Sequence, residues 1–259
     1  MIVACLGIAM FALAFAGERN EPKADPEKEK VDLHYYLKGR YIFQSQCEPC
    51  HGRSGKGDGP WSKDLKDKPR NFRAGVFKFR TTPYGFLPTD DDLRRTIKNG
   101  IAGTAMPFFE KLPDDDVTAL IAYIKSLSRR WDDPALHAEP VPVPEIPAWL
   151  LRGEELPSRV KAGGELFKQT CAACHGETGR GDGPGSKGLV DVWGHPIVPA
   201  DLGQRHHKSG KSMKDLYRTI AMGLDGTPMV GFLEPLGEEK IWDLVAYIKS
   251  IERAPEEGQ

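Results

Sequence analysis

The chain has 259 residues, with 36 lysines and arginines against 37 aspartates and glutamates, for a net charge of −1. That balance leaves no basic excess of the kind that draws a protein to nucleic acid. The length suits about two domains, and 28 glycines with 21 prolines suit small loop-rich domains rather than long helices or a large sheet. Of the five cysteines, four fall in two copies of one motif and only Cys5 remains, so no disulfide framework is expected.

Ile2 to Ala16 is an apolar run, and the first charge is Glu18. As a helix it would span roughly 22 Å, short of the ~30 Å hydrocarbon core. Ala14-Phe15-Ala16 fits a small-x-small cleavage site, so residues 1–16 read as an export signal cut before Gly17. An uncleaved membrane anchor is the alternative for 2–16. The basic region usual ahead of such a run is missing, which points to a start further upstream. Ile2-Val3-Ala4-Cys5 resembles a lipoprotein box, but the residues after Cys5 stay apolar where a lipidated cysteine begins a polar tether. Residues 17–35 carry Glu18, Arg19, Glu21, Lys23, Asp25 and Glu27 through Lys30, and read as a solvated charged tether.

Cys47-Glu48-Pro49-Cys50-His51 and Cys171-Ala172-Ala173-Cys174-His175 are each Cys-x-x-Cys-His, the c-type haem attachment pattern. Residues three apart on a helical turn face one side. Cys47 and Cys50 can therefore both add as thioethers to one porphyrin edge, which brings His51 under the iron. Cys171, Cys174 and His175 repeat the arrangement. A four-cysteine zinc site would need the pairs far closer in sequence, and a thioredoxin-like pair would need alternating strands and helices. Neither explains the histidine after each pair. A haem would also supply the core that such small domains lack.

The motifs lie in two copies of one unit. Gly39, Phe43 and Cys47 match Gly163, Phe167 and Cys171 in spacing. Gly52 to Pro60 matches Gly176 to Pro184, Leu93 to Ile97 matches Leu216 to Ile220, and Gly103-Thr104-Ala105-Met106 matches Gly226-Thr227-Pro228-Met229. Leu120 to Ser126 matches Leu244 to Ser250; the copies diverge around Trp193-Gly194-His195-Pro196. Within each unit a first helix runs up to the cysteines. A short one carries Leu93 and Ile97 and ends at Gly100, or carries Leu216 and Ile220 and ends at Gly223. A last helix starts near Asp114-Asp115-Asp116, where negative charge suits an N-terminus. Its stripe is Val117, Leu120, Ile121 and Ile124, repeated as Ile241, Leu244, Val245 and Ile248.

On these residues each half resembles a class I cytochrome c domain, and the whole resembles a diheme cytochrome c. The resemblance implies an all-α fold of two tandem cytochrome c-like domains, each a few helices around one covalent haem. It covers residues 36–130 and 159–253, leaving a 131–158 linker and a 254–259 tail. It implies that Gly39 and Phe43 meet Tyr123, and that Gly163 and Phe167 meet Tyr247. It also implies His/Met iron, with Met106 distal to His51 and Met229 distal to His175. Met213 and Met222 lie near Met229, and His206 or His207 would instead give a bis-histidine second haem. His195 reads as a surface or haem-edge histidine, and His34 and His137 as tether residues. A loop proline is implied to supply the carbonyl that orients each proximal histidine: Pro69 and Pro199, with Pro60 and Pro184 as alternatives.

The linker holds Pro134, Pro140, Pro142, Pro144, Pro147 and Pro157. Its alternating prolines favour an extended, semi-rigid spacer, and Trp149 and Leu150 argue that it docks. Lys63, Lys66, Lys68, Arg70, Arg73, Lys78 and Arg80 cluster in one loop region, either a patch that steers an acidic redox partner or a solvated face that pairs with haem propionates. The function expected is an exported electron relay with no catalytic residues. It would be periplasmic or otherwise extracytoplasmic, passing electrons between a donor and an acceptor redox protein. A membrane-anchored haem subunit of a respiratory or dehydrogenase complex is the alternative, and a diheme peroxidase a further rival that would need an open distal site.

Overall fold

The computed structural model describes residues 26–253 apart from His206 and Lys211. The leader, residues 17–25, His206 and the 254–259 tail lie outside the described residues. The described residues form helices joined by loops, with no strand beyond two isolated bridges, Val190 to Pro196 and His207 to Gly210.

Helix α1 (Pro26–Ile42) begins inside the segment read as a solvated tether, so from residue 26 onward that reading is corrected. Pro26 has the fixed φ that suits a first helical position. A charged, proline-bearing stretch thus reads as a tether by composition and as a helix start by position. α1 passes through one π turn, Phe43–Cys47, into α2 (Glu48–His51). A π turn is a wide, strained turn that tends to mark functional sites. α3 (Asp90–Asn99) and α4 (Asp114–Ser126) complete the first unit.

The linker contributes α5 (Ala148–Arg152), and the second unit follows as α6 (Leu156–Thr170), α7 (Ala172–His175), α8 (Met213–Met222) and α9 (Leu233–Ile251). α9 is broken at Gly237 (φ 75°), so its long part starts in register with α4. α3 and α8 open with the same capping box: Thr89 with Asp92, and Ser212 with Asp215. Each box satisfies two otherwise orphan N–H groups.

α1 crosses α4, and α6 crosses α9. A Cβ at Gly39 would collide with the Ala119 carbonyl, and one at Gly163 with that of Asp243. Only glycine permits this approach. It brings Phe43 to Tyr123 and Phe167 to Tyr247, each with ring centroids 5.1 Å apart. Such pairs contribute about 0.5–1.5 kcal/mol beyond area burial. The apolar stripes of α4 and α9 are buried beneath them.

The linker is not a passive tether. The Val141 N–H donates to the Thr81 carbonyl of the first unit at 2.8 Å. Val141, Val143, Ile146, Trp149 and Leu150 pack on the core of the second. The basic cluster is likewise not one open patch. Arg80 is buried, Arg70 and Lys78 are half-buried, and Lys68 Nζ donates to the Ser62 and Lys63 carbonyls. Several of these charges face the other unit rather than solvent.

Candidate functional site

The two Cys-x-x-Cys-His turns share one backbone geometry. Cys47 has φ −113° and ψ −31°; Cys171 has −114° and −33°. Each turn ends on a glycine at φ 76°, Gly52 or Gly176, where a side chain would be strained and would strike Asp58 or Asp182. Burial, then the neighbouring Cys50, pushes the Cys47 thiol up to about 12; burial, then Cys174, pushes Cys171 up to about 11. The first cysteine of each motif, Cys47 or Cys171, thus sits as a protonated thiol in partly buried surroundings.

His51 Nδ1 donates to the Arg70 carbonyl at 3.1 Å, and His175 Nδ1 to the Ala200 carbonyl at 3.2 Å. With that proton committed, Nε2 keeps its lone pair free for a metal. Burial lowers the pKa of both rings, which favours the neutral, ligating form. The acceptors lie one residue beyond the expected prolines. The Pro69 and Pro199 carbonyls are packed against Gly57 and Gly181 instead, while Pro60 and Pro184 open short 3-10 turns. Phe72 stacks on His51 with centroids 4.5 Å apart. Phe72 and Leu202 hold the same place in the two units, their N–H groups donating to the Gly55 and Gly179 carbonyls at 2.7 Å.

The two methionine loops are closed in the same way. The Met106 N–H donates to Thr104 Oγ1 at 3.1 Å, and the Ile101 N–H returns to the Met106 carbonyl at 3.2 Å. In the second unit the Met229 N–H donates to Thr227 Oγ1 at 3.2 Å, and the Leu224 N–H to the Met229 carbonyl at 2.9 Å. Met222 is buried at the end of α8, and Met213 packs on the same core, so both have packing roles. His207 is buried against Glu252, with Nε2 3.9 Å from its Oε1. His195 lies 3.6 Å from Asp191. His137 Nε2–H donates to the Trp131 carbonyl at 3.1 Å. His34 lies on α1, stacked edge-on to Tyr35.

Each unit therefore offers two thiols one turn apart, an imidazole oriented by a carbonyl, and a sulfur-bearing loop. That donor set fits one covalent haem per unit. Residues 36–124 match the family of cytochrome c oxidase, cbb3-type, subunit III, and residues 160–252 match cytochrome c. The chain belongs to the diheme c-type cytochromes. The two cysteine pairs are those of two covalent c-type haems.

Among solved structures, this cytochrome is similar to a chain of the Kuenenia stuttgartiensis reducing HAO-like protein complex Kustc0457/Kustc0458. The two are 37% identical with a TM-score of 0.75, covering 83% of this chain and 96% of that one. It is 29% identical over 178 residues to the cbb3-type cytochrome c oxidase subunit FixP of Azorhizobium caulinodans, covering 67% of this chain and 50% of the relative. It is 25% identical over 228 residues to subunit CcoP of Azospirillum brasilense, covering 88% and 66%. The cytochrome thus spans between half and two thirds of the length of these curated relatives.

The two units of the cytochrome meet through residues that sequence reasoning did not single out for this role. The Arg80 guanidinium is fully buried and lies 2.8 Å from Asp225 Oδ1. The Arg70 guanidinium lies 4.4 Å over the Trp193 ring, and burial, partly offset by Asp191, lowers it to about 10. Burial, then Arg70, lowers Lys78 to about 8. Lys208 pairs with Asp67 across the same seam. One sequence signal was available for Asp225: in otherwise matching loops it stands where the first copy has Ala102.

Proposed function

We propose that this cytochrome is an extracytoplasmic electron relay. In this reading Cys47, Cys50, Cys171 and Cys174 hold the haems, His51 and His175 are the proximal ligands, and Met106 and Met229 the distal ones. The observation that carries it is the repetition of one closed arrangement in both units: a histidine whose Nδ1 proton is committed to a carbonyl, and a methionine loop tied by its own threonine. A haem so held supplies reversible one-electron exchange between ferric and ferrous iron. The protein's part is to keep that exchange free of side reactions. His51 with Met106, and His175 with Met229, would hold each iron from both sides and so exclude oxygen, peroxide or a substrate, which argues against the peroxidase rival. A thioether also raises the potential relative to a second imidazole. His207, engaged with Glu252, favours Met229 over a bis-histidine second site.

The partners proposed are redox proteins within a larger assembly. FixP and CcoP are named as subunits of cbb3-type oxidases, and the solved relative as a chain of a reducing HAO-like complex. The second setting is favoured by coverage, since this cytochrome matches almost the whole of that chain but only half to two thirds of the oxidase subunits. Among the described residues no helix is long and apolar enough to cross a membrane; the membrane-anchored alternative proposes residues 2–16 as the anchor. A spectroscopic redox titration tests the ligation: two Met-ligated, high-potential transitions and no uptake of carbon monoxide by the reduced protein are expected. A low-potential bis-histidine step, or a full Soret shift of one haem with carbon monoxide, would overturn it.

A further inference from the structure

We propose that the first unit positions the distal methionine of the second, with Arg80 as the positioning residue. This rests on the reading of Met229 as an iron ligand. Arg80 leaves the first unit and ends among backbone carbonyls of the second. Its Nη2 donates to the Met222 carbonyl at 3.1 Å and its Nη1 to that of Gly223 at 3.4 Å, both at the C-terminal end of α8. The partial negative charge of a helix C-terminus favours a cation there. Nη2 also meets Asp225 Oδ1 at 2.8 Å. Asp225 lies four residues before Met229, inside the loop closed by the Leu224 to Met229 hydrogen bond.

Arg80 does not act alone. The Gly85 N–H donates to the same carboxylate at 3.1 Å, and the Tyr84 hydroxyl to the Thr227 carbonyl at 3.4 Å. Thr227 is the residue whose hydroxyl receives the Met229 N–H. The segment from Arg80 to Gly85 therefore grips the methionine loop at its start and at its middle. It is itself fixed to the first unit. Thr81 donates through both N–H and hydroxyl to Asp92 at 2.9 Å, and the Arg80 Nε–H bonds the Pro83 carbonyl at 3.1 Å.

Among the described residues the first unit's own methionine loop has no such grip. Ala102 stands where Asp225 does, and Ala102 and Gly103 are exposed where Asp225 and Gly226 are buried. Burial raises the pKa of Asp225 and lowers that of Arg80, so the ion pair is held against a desolvation cost. Such a pair is weak as a source of stability, and fixing one geometry is the better-attested use. A thioether is a weak ligand to ferric iron, so its hold depends on a loop already ordered in the ligating position. The two methionines should then differ in lability, Met106 being the easier to displace.

Imidazole titration of the ferric holoprotein tests this, read by the weak far-red absorption of thioether bound to ferric iron. The wild type should lose that band in two equal steps, the second at about tenfold higher imidazole, the ratio expected from one additional charge-assisted contact. Met106→Ala should remove the first step. Arg80→Leu/Asp225→Ala, which leaves no unpaired buried charge, should merge the steps and lower the second midpoint potential, by about 59 mV for each tenfold loss in ferrous-over-ferric preference. Tyr84→Phe, at a more exposed edge and safe for folding, should move the second step the same way by less. Two thioether contributions lost together in the wild type, or two steps untouched by both variants, would overturn the proposal. A wild type with a single thioether contribution would instead overturn the reading of Met229 as a ligand.

Discussion

Gly163 and Gly164 sit side by side in α6, yet a methyl group at each meets different neighbours. At Gly163 it would enter the Asp243 carbonyl of α9, which is backbone and cannot turn aside; at Gly164 it meets only the ring edge of Tyr247 at 3.1 Å. Alanine is worth about 0.5–1 kcal/mol more than glycine in a helix interior. For Gly164→Ala the ring need yield only a few tenths of an ångström, so a neutral result or a gain approaching that value is expected. For Gly163→Ala the helices must part by roughly 1.5 Å to regain ordinary contact near 3.5 Å. Overpacking of this kind costs about 1–3 kcal/mol, and loosening the Phe167–Tyr247 pair adds up to about 1.5 kcal/mol. The net expectation is a loss of about 1–3 kcal/mol. Each kcal/mol moves the Tm of a domain of 60–100 residues by about 4–8 °C. Thermal unfolding of the haem-loaded protein by far-UV circular dichroism reads both variants. A Gly163→Ala protein as stable as the wild type, or a Gly164→Ala protein damaged as much, would refute the close-crossing argument.

Met106→Ala should open one haem, so that carbon monoxide shifts about half the reduced Soret band while one midpoint falls and the other stays. Trp193→Ala removes the ring beneath Arg70, a contact of about 0.5–2 kcal/mol; because the Arg70 carbonyl orients His51, the redox titration should show the first haem's midpoint moving and the second's unmoved. Burial alone would raise the Asp92 carboxyl, but the N–H groups of Thr81 and Thr89, together with Arg95, outweigh it and hold it below the usual range. The folded state therefore binds fewer protons than the unfolded one just below that range. The stabilisation is complete above the ordinary carboxylate pKa and is lost as pH falls through the folded value. Asp92→Asn should cost about 1.5–3 kcal/mol at neutral pH, with denaturant midpoints converging on wild type in acid; an equal difference at all pH values would contradict this.

The sequence made legible whatever depends on local spacing or on repetition. Cys-x-x-Cys-His needs one helical turn, and the Gly39–Phe43–Tyr123 contact recurs as Gly163–Phe167–Tyr247, so each copy vouched for the other. What it hid was set by contacts between distant residues. Arg80 and Asp225 are 145 positions apart, and an arginine in a basic loop looks solvated until its partner unit is in place. The resemblance implies Pro69 as the acceptor for His51, whereas the carbonyl that turns inward belongs to Arg70 and carries no side-chain signature. The helix start at Pro26 is hidden by composition, since a run of lysines and glutamates is compatible with a tether and with a helix.

The closed ring of Gly-Thr-x-Met is common to both copies, but its surroundings are not, and that difference removes the freedom to shuffle the copies. Severed at the linker, the first half would keep the bonds that, among the described residues, hold its own methionine loop. The second half would keep Asp225 without its arginine and two helix-end carbonyls without their donor. A gene fragment encoding the second half alone would thus inherit a defect that its sister does not. The duplicated halves have become a leader and a dependant, joined by more than the peptide chain between them.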